Sequence, residues 1–269
     1  MDKDTIVGGL AAEWMAIEGL LAGLDEAQWA APTPCPGWSV HDVTSHIVGT
    51  ELSLCGEQPA PCLADLRGRP HVRNDIGELN EVWVESLLGE PPARMLEQLR
   101  TVTARRLEAL TEMSDEDFNA PSWTPAGQAT YARFMQIRVF DTWMHEQDIR
   151  DAAGQPGNED GPGAALSVDE ITLALGYLVG KRAGAPDGSS VSFELTGPLA
   201  RRMHVMVDGR ARLAGELPGP ATATIRLPLG TFTRLCGGRV SPDQVSNLVT
   251  IEGDQGLGGQ IVGALAYTI

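Results

Sequence analysis

The chain has 269 residues, with 36 acidic side chains against 20 basic ones, a formal net charge of −16 and a pI near 4.6. Nucleic acid and anionic membrane are bound through clustered Lys and Arg, so neither is expected as a partner. No uncharged apolar run reaches the roughly 18 residues of a membrane-spanning helix, and MDKDTIVGGLAAEW carries acids where a secretion signal carries basic residues. A cytoplasmic protein is expected. The length exceeds the roughly 150 residues of one ordinary domain and predicts two. Cys35, Cys55, Cys62 and Cys236 form no C-x-x-C pair, and a chain this long needs no disulfide staples, so all four read as reduced thiols.

The first 150 residues read as helices. Ile6, Leu10, Trp14, Ile17, Leu21 and Leu24 recur every three or four positions and predict one long amphipathic helix, stopped by APTPCPG. In PGWSVHDVTSHIVG, Ser39 can cap a helix over about residues 40–54, with Asp42 three positions on as a short capping box. Helical periodicity returns over 75–88, 92–113 and 129–153, broken at Pro91-Pro92 and Pro121. Four long helices predict an up-and-down bundle. A Gly- and Pro-rich stretch over 152–165 marks a boundary between a bundle domain, 1–155, and a second domain, 166–269. After a helix over 168–183 the period changes to two. Val191, Phe193 and Leu195 alternate with polar residues, Met203, Val205 and Val207 run into the Asp208-Gly209 hairpin signal, and Ala223, Ile225 and Leu227 alternate again. These predict a small α+β domain with a mainly antiparallel sheet. GDQGLGG, 253–259, lacks the dinucleotide-binding order of glycines and reads as a turn into the last helix.

Chemistry concentrates in RVFDTWMHEQDIR, 138–150. Asp141 and His145 are four apart, about 40° from each other around a helix, and could bind one ion. A third ligand must come from another element, and His46 is the best candidate. His41, five positions earlier, turns about 140° away and is expected to face solvent. Asp42 reads first as a cap and second as either a fourth ligand or a carboxylate that could orient His46. Asp148 reads as a packing salt bridge to Arg150 or Arg138, and Cys35 as a structural thiol near the mouth of the bundle. Trp38, Trp143, Met135 and Met144 read as core and pocket wall. Asp-x-x-x-His pairs also arise on solvated faces, and a lone histidine among apolar neighbours is ordinarily a hydrogen-bonded core residue. Spacing alone leaves the metal reading open.

PTPCPGWSVHDVTSHIVGTE and VFDTWMHEQDIRDAAGQP resemble, in order and separation, the two signatures of the mycothiol-dependent maleylpyruvate isomerase family. The family has a DinB-like metal-binding bundle followed by a small sterol-carrier-like α+β domain. FTRLCGGRVSPDQ and VTIEGDQGLGGQIV resemble its second domain more loosely. The resemblance implies a divalent metal, zinc first, held by His46, His145 and Asp141, with Asp141 one methylene shorter than the family's glutamate. It implies Arg239 as the functional arginine that holds a substrate carboxylate. It also implies mycothiol as cosubstrate, its sulfur held as a metal-bound thiolate that attacks a small unsaturated electrophile, in an isomerase or an S-transferase reaction. The expected partners are that electrophile and the low-molecular-weight thiol, with the chain a monomer or weak homodimer. Two other readings stand beside this one: a thiol-independent hydrolase or lyase working through a metal-bound water, and a non-catalytic small-ligand-binding protein.

Overall fold

Side-chain caps set where the helices start. Asp2 accepts from Thr5 N at the head of α1 (Lys3–Ala22), Asp25 and Gln28 form a capping box on the short α2 (Glu26–Trp29), and Ser39 and Asp42 form another on α3 (Val40–Leu54). The computed structural model describes residues 1–62 and 64–268. The chain continues through α4 (Asp75–Leu87), α5 (Pro92–Glu112), α6 (Asp115–Phe118), a hairpin of β1 (Pro121–Thr124) and β2 (Gly127–Thr130), and α7 (Tyr131–Ala153). Helix α7 ends at Gly154, whose φ of 65° is the left-handed turn that closes a helix. Two units result, Met1–Asn158 and Glu159–Ile269.

In the first unit α1 packs on α5 and α7, and α3 packs on the same two helices. Of the predicted α1 positions, Ile6, Leu10, Trp14, Ile17 and Leu21 are buried, while Leu24 lies past the end of the helix and is half-buried. The helix over 75–87 lies outside this set of four and packs on α3. Its approach is close: a Cβ on Gly49 of α3 would stand 2.4 Å from Trp83 Cβ. The hairpin β1–β2 was not anticipated from the sequence, because four-residue strands are too short to show a period.

Charged side chains also occupy the contact between α1 and α7. Glu13 and Glu146 are both buried. Arg150 donates to Glu146 Oε1 from Nε at 2.8 Å and Nη2 at 2.7 Å, and Asn158 Nδ2 donates to Glu146 Oε2 at 2.6 Å and to Glu13 Oε1 at 3.3 Å. Burial first, and then the neighbouring Glu146, push the Glu13 carboxyl up to about 9.

The second unit begins with α8 (Pro162–Tyr177), which runs into a π turn over Leu178–Arg182. Five strands follow, β3 (Ser190–Thr196), β4 (Arg201–Asp208), β5 (Arg210–Ala214), β6 (Ala223–Pro228) and β7 (Thr250–Gly253), with α9 (Leu229–Cys236) and a 3-10 turn between the last two and α10 (Gln255–Gly263) at the end. Their order is β5-β4-β3-β6-β7. Among the described residues of this sheet only β3 and β6 run parallel. Val191, Phe193, Leu195, Val205, Ile225 and Leu227 are buried, while on the opposite face Glu194 binds Arg202 and Arg226 across the strands at 2.7 and 2.6 Å. Gly209 takes a φ of 61° at the β4–β5 turn, as the Asp-Gly signal requires. GDQGLGG enters α10 through the Asp254 cap. Helices Lys3–Ala22 and Pro162–Arg182 are long and apolar enough to cross a membrane by length and composition, and about half of each is buried within the protein.

Two outcomes follow from this packing. Gly49→Ala is expected to lower the melting temperature, because overpacking against Trp83 costs about 1–3 kcal/mol and the gain in helix propensity is at most about 1 kcal/mol. The same change made with Trp83→Ala should lose that penalty. For Glu13, a carboxyl raised on folding contributes stability that is complete below about 4.5, its unfolded value, and is lost as pH rises toward about 9. Glu13→Gln should therefore melt above the parent at about pH 8, with the difference shrinking at about pH 5.

Candidate metal centre

The bundle brings His46 on α3 against Asp141 and His145 on α7. His46 Nε2 lies 3.2 Å from Asp141 Oδ2, and His145 Nε2 lies 3.6 Å from Asp141 Oδ1. The two imidazole rings are 4.9 Å apart and nearly perpendicular. One donor atom from each of the three residues falls within 4.8 Å of the others. The single short carboxylate spans both imidazoles, one oxygen to each, so the missing methylene does not separate it from them. The imidazole side chains are 4% and 8% exposed and the Asp141 side chain 32%, so the carboxylate marks the edge open to solvent.

Trp38 forms one wall, its ring 5.2 Å from that of His46 and 5.8 Å from that of His145. It is held from behind by its own Nε1–H, which donates to the buried Glu81 at 2.9 Å. Glu81 in turn binds Arg69 and His71. Trp143, Met135 and Met144 are buried in the bundle, and Trp143 Nε1 donates to the Asn158 carbonyl.

A chain of alternating charge runs away from the cluster. Arg138 Nη1 donates to Asp141 Oδ2 at 2.5 Å, while its Nη2 and Nε donate to Glu51 Oε1 at 2.8 and 3.2 Å. Glu51 Oε2 accepts from Arg106 Nε at 3.0 Å, and Arg106 Nη2 reaches the Tyr131 hydroxyl at 2.9 Å. Glu51, Arg106 and Arg138 are all buried. Burial alone would push the Asp141 carboxyl up, but His46, Arg138 and His145 outweigh it and hold it well below the usual carboxylate range. His46 is pushed down, first by burial and then by His145 and Arg138, against the opposing pull of Asp141. An ionised carboxylate and a neutral imidazole are the protonation states a metal requires.

Several residues stand elsewhere than their spacing suggested. Asp148, expected beside Arg150 or Arg138, has its Oδ2 at 3.0 Å from His145 Nδ1. Residues three apart on a helix share a face, and here that face is buried. Arg138 points inward to Glu51 and Asp141. His41 is half-buried, its Nε2 2.8 Å from the Glu90 carbonyl, where a solvent-facing ring was expected. Asp42 serves the cap, binding Ser39 N and Oγ. Arg239 belongs to the second unit, in the turn after α9, where Nη1 donates to the Gly237 carbonyl at 2.7 Å.

Glu51 and Arg106 escaped the sequence reading, yet both carry a signal. Glu51 continues the apolar register Val40, Val43 and Ile47 of α3, and Arg106 continues Met95, Leu99 and Val102 of α5. A charge in an apolar register must find a buried partner.

The residues fit a divalent ion. His145 has the arrangement of a metal-binding histidine, one nitrogen facing the cluster and the other on a carboxylate that fixes its orientation. His46 departs from that arrangement: its Nδ1 is buried with no hydrogen-bond partner among the described residues, and the Trp38 ring orients it instead.

The architecture is thus a helical bundle that brings His46, Asp141 and His145 together, followed by a small α+β unit. The sequence matches the mycothiol maleylpyruvate isomerase N-terminal domain over residues 10–150 and the MDMPI C-terminal domain over residues 165–260. The chain belongs to the mycothiol maleylpyruvate isomerase family. An uncharacterized protein of Mycobacterium tuberculosis is 29% identical over 154 residues, a match covering 57% of this chain and 58% of that protein. A second from the same organism is 26% identical over 176 residues, 64% of this chain and 78% of that protein. The crystal structure of the mycothiol-dependent maleylpyruvate isomerase superimposes with a TM-score of 0.61 at 15% identity, covering 94% of this chain and 93% of the other. The fold is shared.

The charge chain generates one outcome. Glu51→Gln removes the anion between two buried arginines and is expected to destabilise the protein by about 3–5 kcal/mol, read from urea unfolding.

Proposed function

We propose that this protein is a metal-dependent, mycothiol-using isomerase or S-transferase that acts on a small unsaturated, carboxylated electrophile. The observation that carries the reading is the convergence of His46, Asp141 and His145 from two rigid helices, with donor atoms within 4.8 Å of one another. Family membership supports mycothiol as the thiol. Two imidazoles and a carboxylate suit zinc first and also accommodate iron, nickel or manganese. An ion held by three protein ligands keeps a position open and, when bound, supplies the charge that stabilises a thiol as its thiolate at neutral pH.

The chain's own residues prepare that position. Asp148 holds the His145 ring through Nδ1, so that Nε2 is presented to the ion. Arg138 keeps Asp141 ionised and fixes the carboxylate in one rotamer. Trp38 covers both imidazoles and keeps water from that side. Arg239 is the proposed partner of the substrate carboxylate, a role resting on the resemblance of FTRLCGGRVSPDQ to the family's second domain; a guanidinium suits it because it is always charged and binds carboxylate through two parallel hydrogen bonds.

The test is thiol- and metal-dependent turnover. Protein stripped of metal should be inert toward maleylpyruvate and regain activity with zinc, and omission of mycothiol should abolish turnover. Full turnover without any thiol would sink the proposal and favour water activation at the same ion, while wild-type protein that binds no divalent ion would favour the non-catalytic reading.

A further inference from the structure

His145 also faces a second donor set. Cys35 Sγ, one imidazole nitrogen of His145 and a carboxylate oxygen of Asp148 lie within 4.8 Å of one another. Asp148 Oδ2 is 3.0 Å from Nδ1, whereas Nε2 is turned toward Asp141 Oδ1 at 3.6 Å. The acids of the two donor sets, Asp148 and Asp141, therefore face opposite nitrogens of one ring. A Cys–His–acid nucleophile would need the thiol and the acid at opposite ring nitrogens. Here the thiol lies close to the acid itself, so the geometry is that of convergent ligands.

The three residues are buried, Cys35 at 9%, His145 at 6% and Asp148 at 1% exposure. They also sit on rigid elements. His145 and Asp148 share α7, and Cys35 lies in a loop pinned by Thr33 N to the Trp38 carbonyl at 2.9 Å, Trp38 N to the Cys35 carbonyl at 3.2 Å and Cys35 N to Thr33 Oγ1 at 3.2 Å. Ligands held this way converge without ordering a loop on binding.

We infer that Cys35, His145 and Asp148 form an alternative position for a soft, thiophilic divalent cation, exclusive of the His46–Asp141–His145 position. A sulfur ligand selects softer ions than two imidazoles and a carboxylate do. Exclusivity follows from the shared ring: a neutral imidazole has one lone pair and serves one ion at a time. An ion on Nδ1 requires the ring proton on Nε2, and the Cys35 S–H proton leaves to solvent as the sulfur binds. The catalytic proposal uses the other edge of the ring and is independent of this one.

The experiment is a cadmium titration of the metal-free full-length protein, following the thiolate-to-cadmium charge-transfer absorbance. The expected result is a band that saturates at one ion per chain in the wild type and in His46→Ala, and is lost in Cys35→Ser. Absence of the band from the wild type, its survival in Cys35→Ser through another cysteine, or its loss in His46→Ala would each overturn the inference. Cadmium-113 NMR of the unmodified protein reports thiolate ligation directly, so the inference stays testable if Cys35→Ser fails to fold. A resonance with nitrogen and oxygen ligands only would refute it while leaving the catalytic proposal intact.

Discussion

The buried carboxylate of Glu51, held between Arg106 and Arg138, is the interaction on which the candidate centre depends. It ties α3 to α5 and α7 at once, because its two oxygens take arginines from different helices. An isolated carboxylate at that depth would be protonated or would unfold the bundle, and an isolated arginine would fare no better. Together they form a sequence of alternating charges that ends at Asp141, the acid facing both histidines. The same contacts that close the bundle therefore set the ionisation and orientation of the carboxylate.

This coupling gives a physical reason why aspartate can serve at position 141. A shorter acid reaches less far from α7, but Arg138, one turn earlier on the same helix, draws Oδ2 into a fixed position and leaves Oδ1 toward His145. On the far edge of His145, Asp148 completes the orientation of the ring. Helix α7 thus supplies two groups facing the centre and two groups that hold them. Arg138, His145, Glu146, Gln147 and Asp148 are buried on this helix beside the apolar Met135, Val139, Phe140, Trp143, Met144 and Ile149.

The shared fold at 15% identity with the mycothiol-dependent maleylpyruvate isomerase illustrates what a fold requires. Helix and strand periodicity, caps and turn residues tolerate wide substitution as long as volume and pattern are kept. A reaction requires particular groups at particular distances, and the fold does not supply these by itself.

Much of the architecture was legible in the sequence because its signals are local. The α1 stripe, the Ser39–Asp42 cap, the Asp208-Gly209 turn and the alternation of β3, β4 and β6 each depend on neighbours within one or two turns, and each stands where the pattern put it. Asp141 and His145 share a helix face for the same reason. The approach of His46, nearly a hundred residues earlier, was only a candidate from spacing, since helix periodicity says which face is buried and nothing about which helix it meets. The orientation of His41 was misread, and the contact of Asp148 with His145 was not seen, because a charge or an imidazole on a helix can face solvent or a buried partner with the same spacing. Glu51 and Arg106 stood in apolar registers that demanded a buried partner, but only the packing of α3 against α5 and α7 decided which partner each one met.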